Sequence, residues 1–248
     1  AIGLSIDTHI LERAIGSKIE ALQASACLKR KEASQIDDEK KPLLECESNP
    51  SQFEKSEIKY VLKVHVSGGE AGRGYSRDEA NPPLVRFSQH PYPTHYDSLS
   101  ATGVTLMCAQ TALAIQPALA GIKHMNRLEQ VLIKRQMNTL ECDDVVVLDY
   151  DNNVIECSAA NIFAIKDGQV MSPKLDRCGI TGVYLSALCD KLAIEFKAIQ
   201  LDELLAMDAV FMCNSLMGVV PVARITDTEF DIERSKALLT AQFAKENV

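Results

Sequence analysis

Three sets of residues, far apart in the chain, have types that could do chemistry together. Lys123 closes the run Leu119-Ala120-Gly121-Ile122-Lys123. A lysine in an apolar setting is expected to be desolvated, which lowers the pKa of the amine and makes it a nucleophile toward carbonyl carbon. Glu156 falls in Val154-Ile155-Glu156-Cys157-Ser158, a strand pattern in which an acid is out of place. A carboxylate held there could keep a neighbouring basic nitrogen protonated. Gly179-Ile180-Thr181-Gly182 precedes a helical stretch, with Thr181 as candidate N-cap. A helix N-terminus offers free N–H groups and a favourable dipole to an anion such as phosphate. Taken singly, each has an ordinary explanation: a lysine with its head in water, a charge on an edge strand, a capped helix. Together, an amine, an acid and an anion cradle are what a phosphorylated organic cofactor requires of its protein.

Composition narrows the remaining choices. The chain has 248 residues, 46% of them hydrophobic, enough for a sizeable core or two modest domains sharing a cleft. Lysine and arginine total 26 against 34 acidic residues, a net charge of −8. Such a surface repels nucleic acid and anionic membranes, so neither is expected as a partner. No apolar run approaches the ~18–20 residues of a membrane helix. The opening Ala1-Ile2-Gly3-Leu4-Ser5 has no basic region followed by an apolar core, so no secretory leader is expected and the expected location is the cytoplasm. The eight cysteines show no CxxC spacing and read as buried, reduced thiols. His90 and His95 are separated by Pro91 and Pro93, which prevents a helix from placing both rings on one face. No metal site is expected.

The elements that must position these residues follow from periodicity. Residues 8–28 read as a helix, through Ile10, Leu11, Ala14, Ile15, Ile19 and Leu22. Residues 29–59 are polar and charge-rich, a solvated segment of loops and short helices. Tyr60–Ser67 alternates as a strand, and 84–88 and 104–109 are two more candidates. Residues 112–120 read as a connection between halves, and 122–136 as a helix that would put Asn126 and Arg127 on the face of Lys123. Strands at 144–150 and 155–165 meet at the turn Asp151-Asn152-Asn153, and Asp167-Gly168 marks another hairpin. A helix over 181–196, strands at 209–214 and 218–225, and a helix over 232–244 complete the chain. Hairpins mixed with helices predict an α+β fold, with an N-terminal subdomain over 1–112 and a C-terminal one over 113–248.

The runs GIKHMNRLEQVL (121–132), ECSAANIF (156–163), DGQVMSP (167–173) and GITG (179–182) resemble the class IV aminotransferase family in order, spacing and context. The stretches SGGEAGRGY (67–75), PYPTHYD (91–97) and LAGIKHMNRLEQVL (119–132) resemble its aminodeoxychorismate lyase branch. The resemblance runs from about Tyr60 to Val222. It implies a fold type IV enzyme, like D-amino acid aminotransferase, that binds pyridoxal 5'-phosphate and forms a homodimer. Position by position, Lys123 matches the Schiff-base lysine and catalytic group, and Glu156 the acid facing the pyridine nitrogen. Ile180 and Thr181 match phosphate donors, and Asn214 and Ser215 further groups near the phosphate. Asn161 belongs to the motif and reads equally well as a turn-stabilising amide. The implied substrate is a small dicarboxylate, so Arg73, Tyr75 and Tyr92 are its candidate contacts. The implied reaction converts 4-amino-4-deoxychorismate to p-aminobenzoate and pyruvate in folate biosynthesis. A branched-chain or D-amino acid transaminase is the alternative on the same fold, and a catalytically impaired relative with a binding role is the second alternative.

The opening of the chain departs from the family, which has a Tyr/Phe-Gly-Asp-Gly segment and then a helix carrying a phosphate-gripping arginine in an H-x-x-R pattern. No Gly-Asp-Gly occurs here. Aligning HILER (9–13) supplies Arg13 at the wrong spacing, while aligning KIEALQASACL (18–28) puts Ala21 in that place. The N-terminal domain is therefore expected to be divergent or incomplete. Gly68 and Leu185 also stand where many relatives carry arginine.

Overall fold

The computed structural model describes residues 12–21, 60–70, 72–77 and 81–245. The chain forms two compact units, Ala1–Tyr92 and Pro93–Val248. The first contains a helix, α1 (residues 12–21), and an antiparallel hairpin of β1 (Tyr60–Ser67) and β2 (Leu84–Pro91). The remainder of the helix expected over 8–28, and all of the polar segment 29–59, lie outside the described residues. In the loop of the hairpin, Arg77 donates to the carbonyls of Gly68 and Asn81, each at 3.2 Å.

The second unit is built on a sheet whose strands run β5-β4-β3-β10-β9-β6-β7-β8, with β11 (Thr228–Glu229) paired to β10. The strands are β3 (Val104–Cys108), β4 (Asp144–Leu148), β5 (Val154–Cys157), β6 (Asn161–Lys166), β7 (Gln169–Pro173), β8 (Ile194–Lys197), β9 (Ala209–Asn214) and β10 (Gly218–Ile225). Strand β3, N-terminal to residue 112, is an interior strand of this sheet, parallel to both β4 and β10. The link from β5 to β6 forces curvature. Its four residue steps, from Cys157 to Asn161, reach at most about 14 Å, yet five strand spacings separate β5 from β6 in the sheet order, about 24 Å if flat. The sheet curls until its β5 edge meets β6.

Period-two alternation divides the core into two layers. Val146, Ile162, Ala164, Val210 and Met212 face one cluster, and Val145, Val147, Phe163, Ile165 and Phe211 face the other. Phe163 and Phe211 stack with ring centroids 5.0 Å apart, both fully buried. Helices α2 (Tyr96–Thr102), α3 (Leu128–Met137), α4 (Val183–Cys189), α5 (Leu201–Leu205) and α6 (Ile232–Lys245) complete the unit. The α+β class is as expected.

Three expected elements are corrected. The helix over 122–136 begins only at Leu128, so Lys123 lies in a non-helical loop and shares no helix face with Asn126 or Arg127. The strand over 155–165 is two strands, because Ser158–Ala160 turns the chain from one sheet edge back onto β6. The helix over 181–196 stops at Cys189, and its second half is strand β8, captured by parallel pairing to β7. Both hairpin turns occur where expected, joining β4 to β5 and β6 to β7. In the first, the buried Asp149 carboxylate accepts the Asp151 and Asn153 N–H groups at 2.9 Å each. Leu185 is fully buried, a core residue of α4 rather than a site for a cation.

Candidate active site

Glu156 is the first thing the fold fixes. On β5 its carboxylate is 5% exposed, and Oε2 accepts the Ile180 N–H at 2.9 Å. Burial pushes its pKa up. The Ile180 N–H, the Arg127 guanidinium, the nearby Gln130 amide and the Lys123 ammonium pull the other way. The acid at an unexpected strand position is thus a buried carboxylate facing two cations, in contrast to an edge-strand charge in water.

The glycine turn is tied to Glu156 and to the lysine loop at once. Gly179 has φ +79°, and a Cβ there would press on Ile155 at 2.6 Å and Leu175 at 3.0 Å. Only glycine lets the turn settle onto β5 this closely. Gly121, with φ +75°, forms a parallel bridge with Ile180: the Gly121 N–H donates to Gly179 O and the Thr181 N–H donates to Gly121 O, each at 3.0 Å. Asn161 completes the turn from β6. Its amide donates to Ile180 O at 2.8 Å and accepts the Gly182 N–H at 3.0 Å. The cap of α4 is Gly182, without a side-chain cap bond, and not Thr181 as expected. The Thr181 backbone is held in the bridge to Gly121, and its hydroxyl lies against that glycine.

Lys123 follows this bridge directly. It is exposed, and among the described residues its amine makes no hydrogen bond or ion pair. The desolvation expected from its apolar neighbours is not found, because the loop bends Lys123 out rather than carrying it on a helix face. Arg127 folds back over the same loop, with Nε donating to His124 O and Nη2 to Ile122 O, both at 3.2 Å. A cavity of about 350 Å³ beside the loop is lined by Gln116, His124, Arg127, Gln130 and Gly179 among others. Among the described residues, Nδ1 of His124 and both amide atoms of Gln130 are buried there without a hydrogen-bond partner.

Asn214 and Ser215 lie at the turn between β9 and β10. The Asn214 amide is used locally: it donates to Ala159 O at 3.1 Å and accepts the Leu216 and Met217 N–H groups at 2.9 Å. Ser215 is exposed in the same turn. Pairing of Asn161 with Cys213 keeps this turn beside the glycine turn. Arg73 and Tyr75, both exposed, and the partly buried Tyr92 belong to the first unit. The arginine grip on the lysine loop, the Gln130 amide beside Glu156 and the Arg77 grip on the hairpin loop were not read from the sequence. Arg127 was placed there only on the expected helix face of Lys123, and its short spacing from Lys123 was the one available signal.

Other nucleophiles near the site are silent. Burial pushes the Cys178 and Cys213 thiols up to about 12, and Cys157 well above its ordinary value, so all three stay protonated at neutral pH. The cysteines are not uniformly buried, since Cys189 is exposed and Cys108 and Cys142 are half-buried; Cys27 and Cys46 lie outside the described residues. Among the described residues no group of His, Cys, Asp or Glu could hold a metal ion, and no helix is long and apolar enough to cross a membrane.

The residues present fit two of the three requirements of pyridoxal phosphate, the amine and the acid. Lys123 offers an exposed amine with no partner among the described residues, and Glu156 on β5 offers a buried acid near the Arg127 and Lys123 cations. The Ile180 and Thr181 N–H groups expected for the phosphate already have acceptors within the chain, leaving the Thr181 hydroxyl as the uncommitted donor of that pair.

The chain is 42% identical over 177 residues to an aminodeoxychorismate lyase of Vibrio harveyi, covering 69% of this chain and 65% of that protein. It is 35% identical over 112 residues to a D-alanine aminotransferase of Listeria monocytogenes, covering 42% and 37%. The crystal structure of 4-amino-4-deoxychorismate lyase from Pseudomonas aeruginosa superposes with a TM-score of 0.67 at 33% identity, over 73% of this chain and 69% of that one. The chain spans less than two thirds of the length of these curated relatives. The family model for amino-transferase class IV matches residues 22–225. That span contains the lysine loop, the acid and the glycine turn just described, and with them the chain belongs to the class IV aminotransferases and has their fold type IV architecture.

Proposed function

We propose that this chain is a pyridoxal-phosphate-dependent lyase that converts 4-amino-4-deoxychorismate to p-aminobenzoate and pyruvate, a step of folate biosynthesis. The observation that carries the reading is the juxtaposition of an unpaired Lys123 amine with a buried Glu156 through the Gly121–Ile180 bridge. The 42% identity to a lyase over 177 residues supports the lyase over the transaminase branch.

In this reading Lys123 would hold the cofactor through Nζ, and Glu156 would be the acid for its ring nitrogen. Ile180, Thr181, Asn214 and Ser215 stand around the phosphate. Pyridoxal phosphate, when bound, supplies an electron sink that acidifies the proton on the substrate's amine-bearing carbon. The Arg127 and Lys123 cations favour the charged form of Glu156, the form that would balance a protonated ring nitrogen. The freed Lys123 amine takes the carbon-bound proton at Nζ. As ammonium it delivers a proton to the departing enolpyruvyl group, one positioned amine serving both transfers. Aromatisation of the remaining ring makes the step irreversible. Arg73, Tyr75 and Tyr92 are the contacts we propose for the dicarboxylate substrate, and the groups proposed for the cofactor lie within residues 113–248. The enzyme acts as a cytoplasmic homodimer.

One observation favours a second reading, an impaired relative: the Ile180 and Thr181 N–H groups are already engaged. A single experiment separates the two. Purified chain and Lys123→Ala are given pyridoxal phosphate and aminodeoxychorismate, and p-aminobenzoate is measured. Product from the first and none from the second is the expected result. A sample visibly loaded with cofactor that forms no product would reject the lyase, and transfer to a keto acid by that sample would point to the transaminase. A chain that never takes up cofactor would be the impaired relative.

A further inference from the structure

We propose that Arg127 is the positioning residue of Lys123, stapling the non-helical lysine loop through the two carbonyls that flank the lysine. This rests on the reading of Lys123 as the cofactor lysine.

The geometry is direct. Between the Gly121–Ile180 bridge and the start of α3 at Leu128, residues 122–127 have no helical or sheet ladder to hold them. The Arg127 side chain supplies the missing restraint: Nε reaches His124 O and Nη2 reaches Ile122 O, one residue on each side of Lys123. Guanidinium is suited to this, because its donors form a rigid planar fork that can serve two acceptors at once.

The placement of Arg127 makes little sense for the helix alone. It is the N-cap residue of α3, which has no side-chain cap bond. An N-cap ordinarily supplies an acceptor for free N–H groups, and arginine has none. Its charge also stands at the positive end of the helix dipole. The backbone of Arg127 nevertheless starts the helix, its carbonyl accepting the Val131 N–H at 3.1 Å. One residue thus anchors α3 with its main chain and the lysine loop with its side chain. The same cation sits where it favours the Glu156 carboxylate, so the amine and the acid are linked through one group.

The test uses the full chain with pyridoxal phosphate as probe. Hydrogen–deuterium exchange of the cofactor-free protein is followed in wild type, Arg127→Met and Arg127→Lys. Cofactor affinity, and the rate of borohydride trapping of cofactor on Lys123, are measured in the same three proteins. In Arg127→Met, amides 122–126 are expected to exchange about tenfold faster, with cofactor affinity lowered by about tenfold, while amides of β9 and β10 keep their protection. Arg127→Lys, which retains charge but not the fork, should recover only part of either loss. It also serves as the readout should the methionine variant not fold. Unchanged exchange and affinity in a folded variant would overturn the proposal and leave the lysine reading intact. Cofactor trapped in wild type on a lysine other than Lys123 would overturn both.

Discussion

At the scale of the residue, Glu156 carries a conflict between stability and chemistry. Burial raises its pKa, so its charged form is disfavoured in the folded protein relative to the unfolded chain. A group with a raised folded pKa contributes stability that is complete below its unfolded value, ordinarily 4.5, and is lost as pH rises through the raised folded value. The charged groups facing it are Arg127 and Lys123, which soften the cost, and its own charge raises the neighbouring Cys157 and Cys178 thiols. Glu156→Gln should therefore raise the thermal midpoint of the cofactor-free protein at neutral pH, and the gap should close as pH falls below 4.5. The same change should lower lyase turnover by about a hundredfold, since a neutral amide cannot balance a cationic ring nitrogen. Calorimetry across pH reads the first effect and product formation the second. Equal midpoints at neutral pH, or a gap that widens on acidification, would show that burial of Glu156 is not costly. In the sequence Lys123 and Glu156 stand out as a lysine and an acid in apolar runs, and only the family resemblance joins them into one site. What each touches was not legible there, since the Ile180 N–H comes from 24 residues away.

At the scale of the element, the site depends on a turn held by one buried amide. Asn161 opens β6 and spans the glycine turn, bonding to the Ile180 carbonyl and the Gly182 N–H. Asn161→Ala leaves both backbone groups without a partner in a position that is only 6% exposed for the native side chain. The expected loss is about 2–3 kcal/mol of unfolding free energy, measured by urea denaturation. A loss below about 0.5 kcal/mol would mean that water or another donor replaces the amide. The elements that could be read from the sequence were those whose signals are local. Tyr60–Ser67 alternates strictly, and Asp151-Asn152-Asn153 and Asp167-Gly168 are turn formers between apolar runs. Where long-range pairing decides, periodicity misled. Ile122, Met125, Leu128 and Leu132 keep helical spacing, yet Gly121 is drawn onto Ile180 and the helix cannot start until Leu128. The second half of 181–196 becomes a strand because β7 offers a parallel edge, information that lies outside the segment itself.

At the scale of the whole molecule, α3 connects the site to assembly. Its inner face is anchored by Ile133, 1% exposed, while Leu128, Val131 and Leu132 are 74%, 61% and 42% exposed. Their spacing of three and four residues puts them on one helix face, and Met125, 62% exposed, precedes them in the lysine loop. A soluble chain rarely leaves large apolar side chains grouped in water, and the proposed homodimer gives this group a partner. A second copy seated on α3 would bury the outer side of the helix whose N-cap, Arg127, holds the lysine loop, so that pairing and ordering of the site would be coupled. Sedimentation equilibrium should find twice the chain mass at micromolar concentration. Val131→Glu and Leu128→Glu, which place a charge on that face without touching the core, should each weaken pairing by about tenfold or more. Cofactor affinity should fall in parallel with dimer content as the protein is diluted. A wild-type monomer would remove the dimer from the proposal. A dimer indifferent to both substitutions would move the interface off α3 and leave the exposed apolar face to another partner.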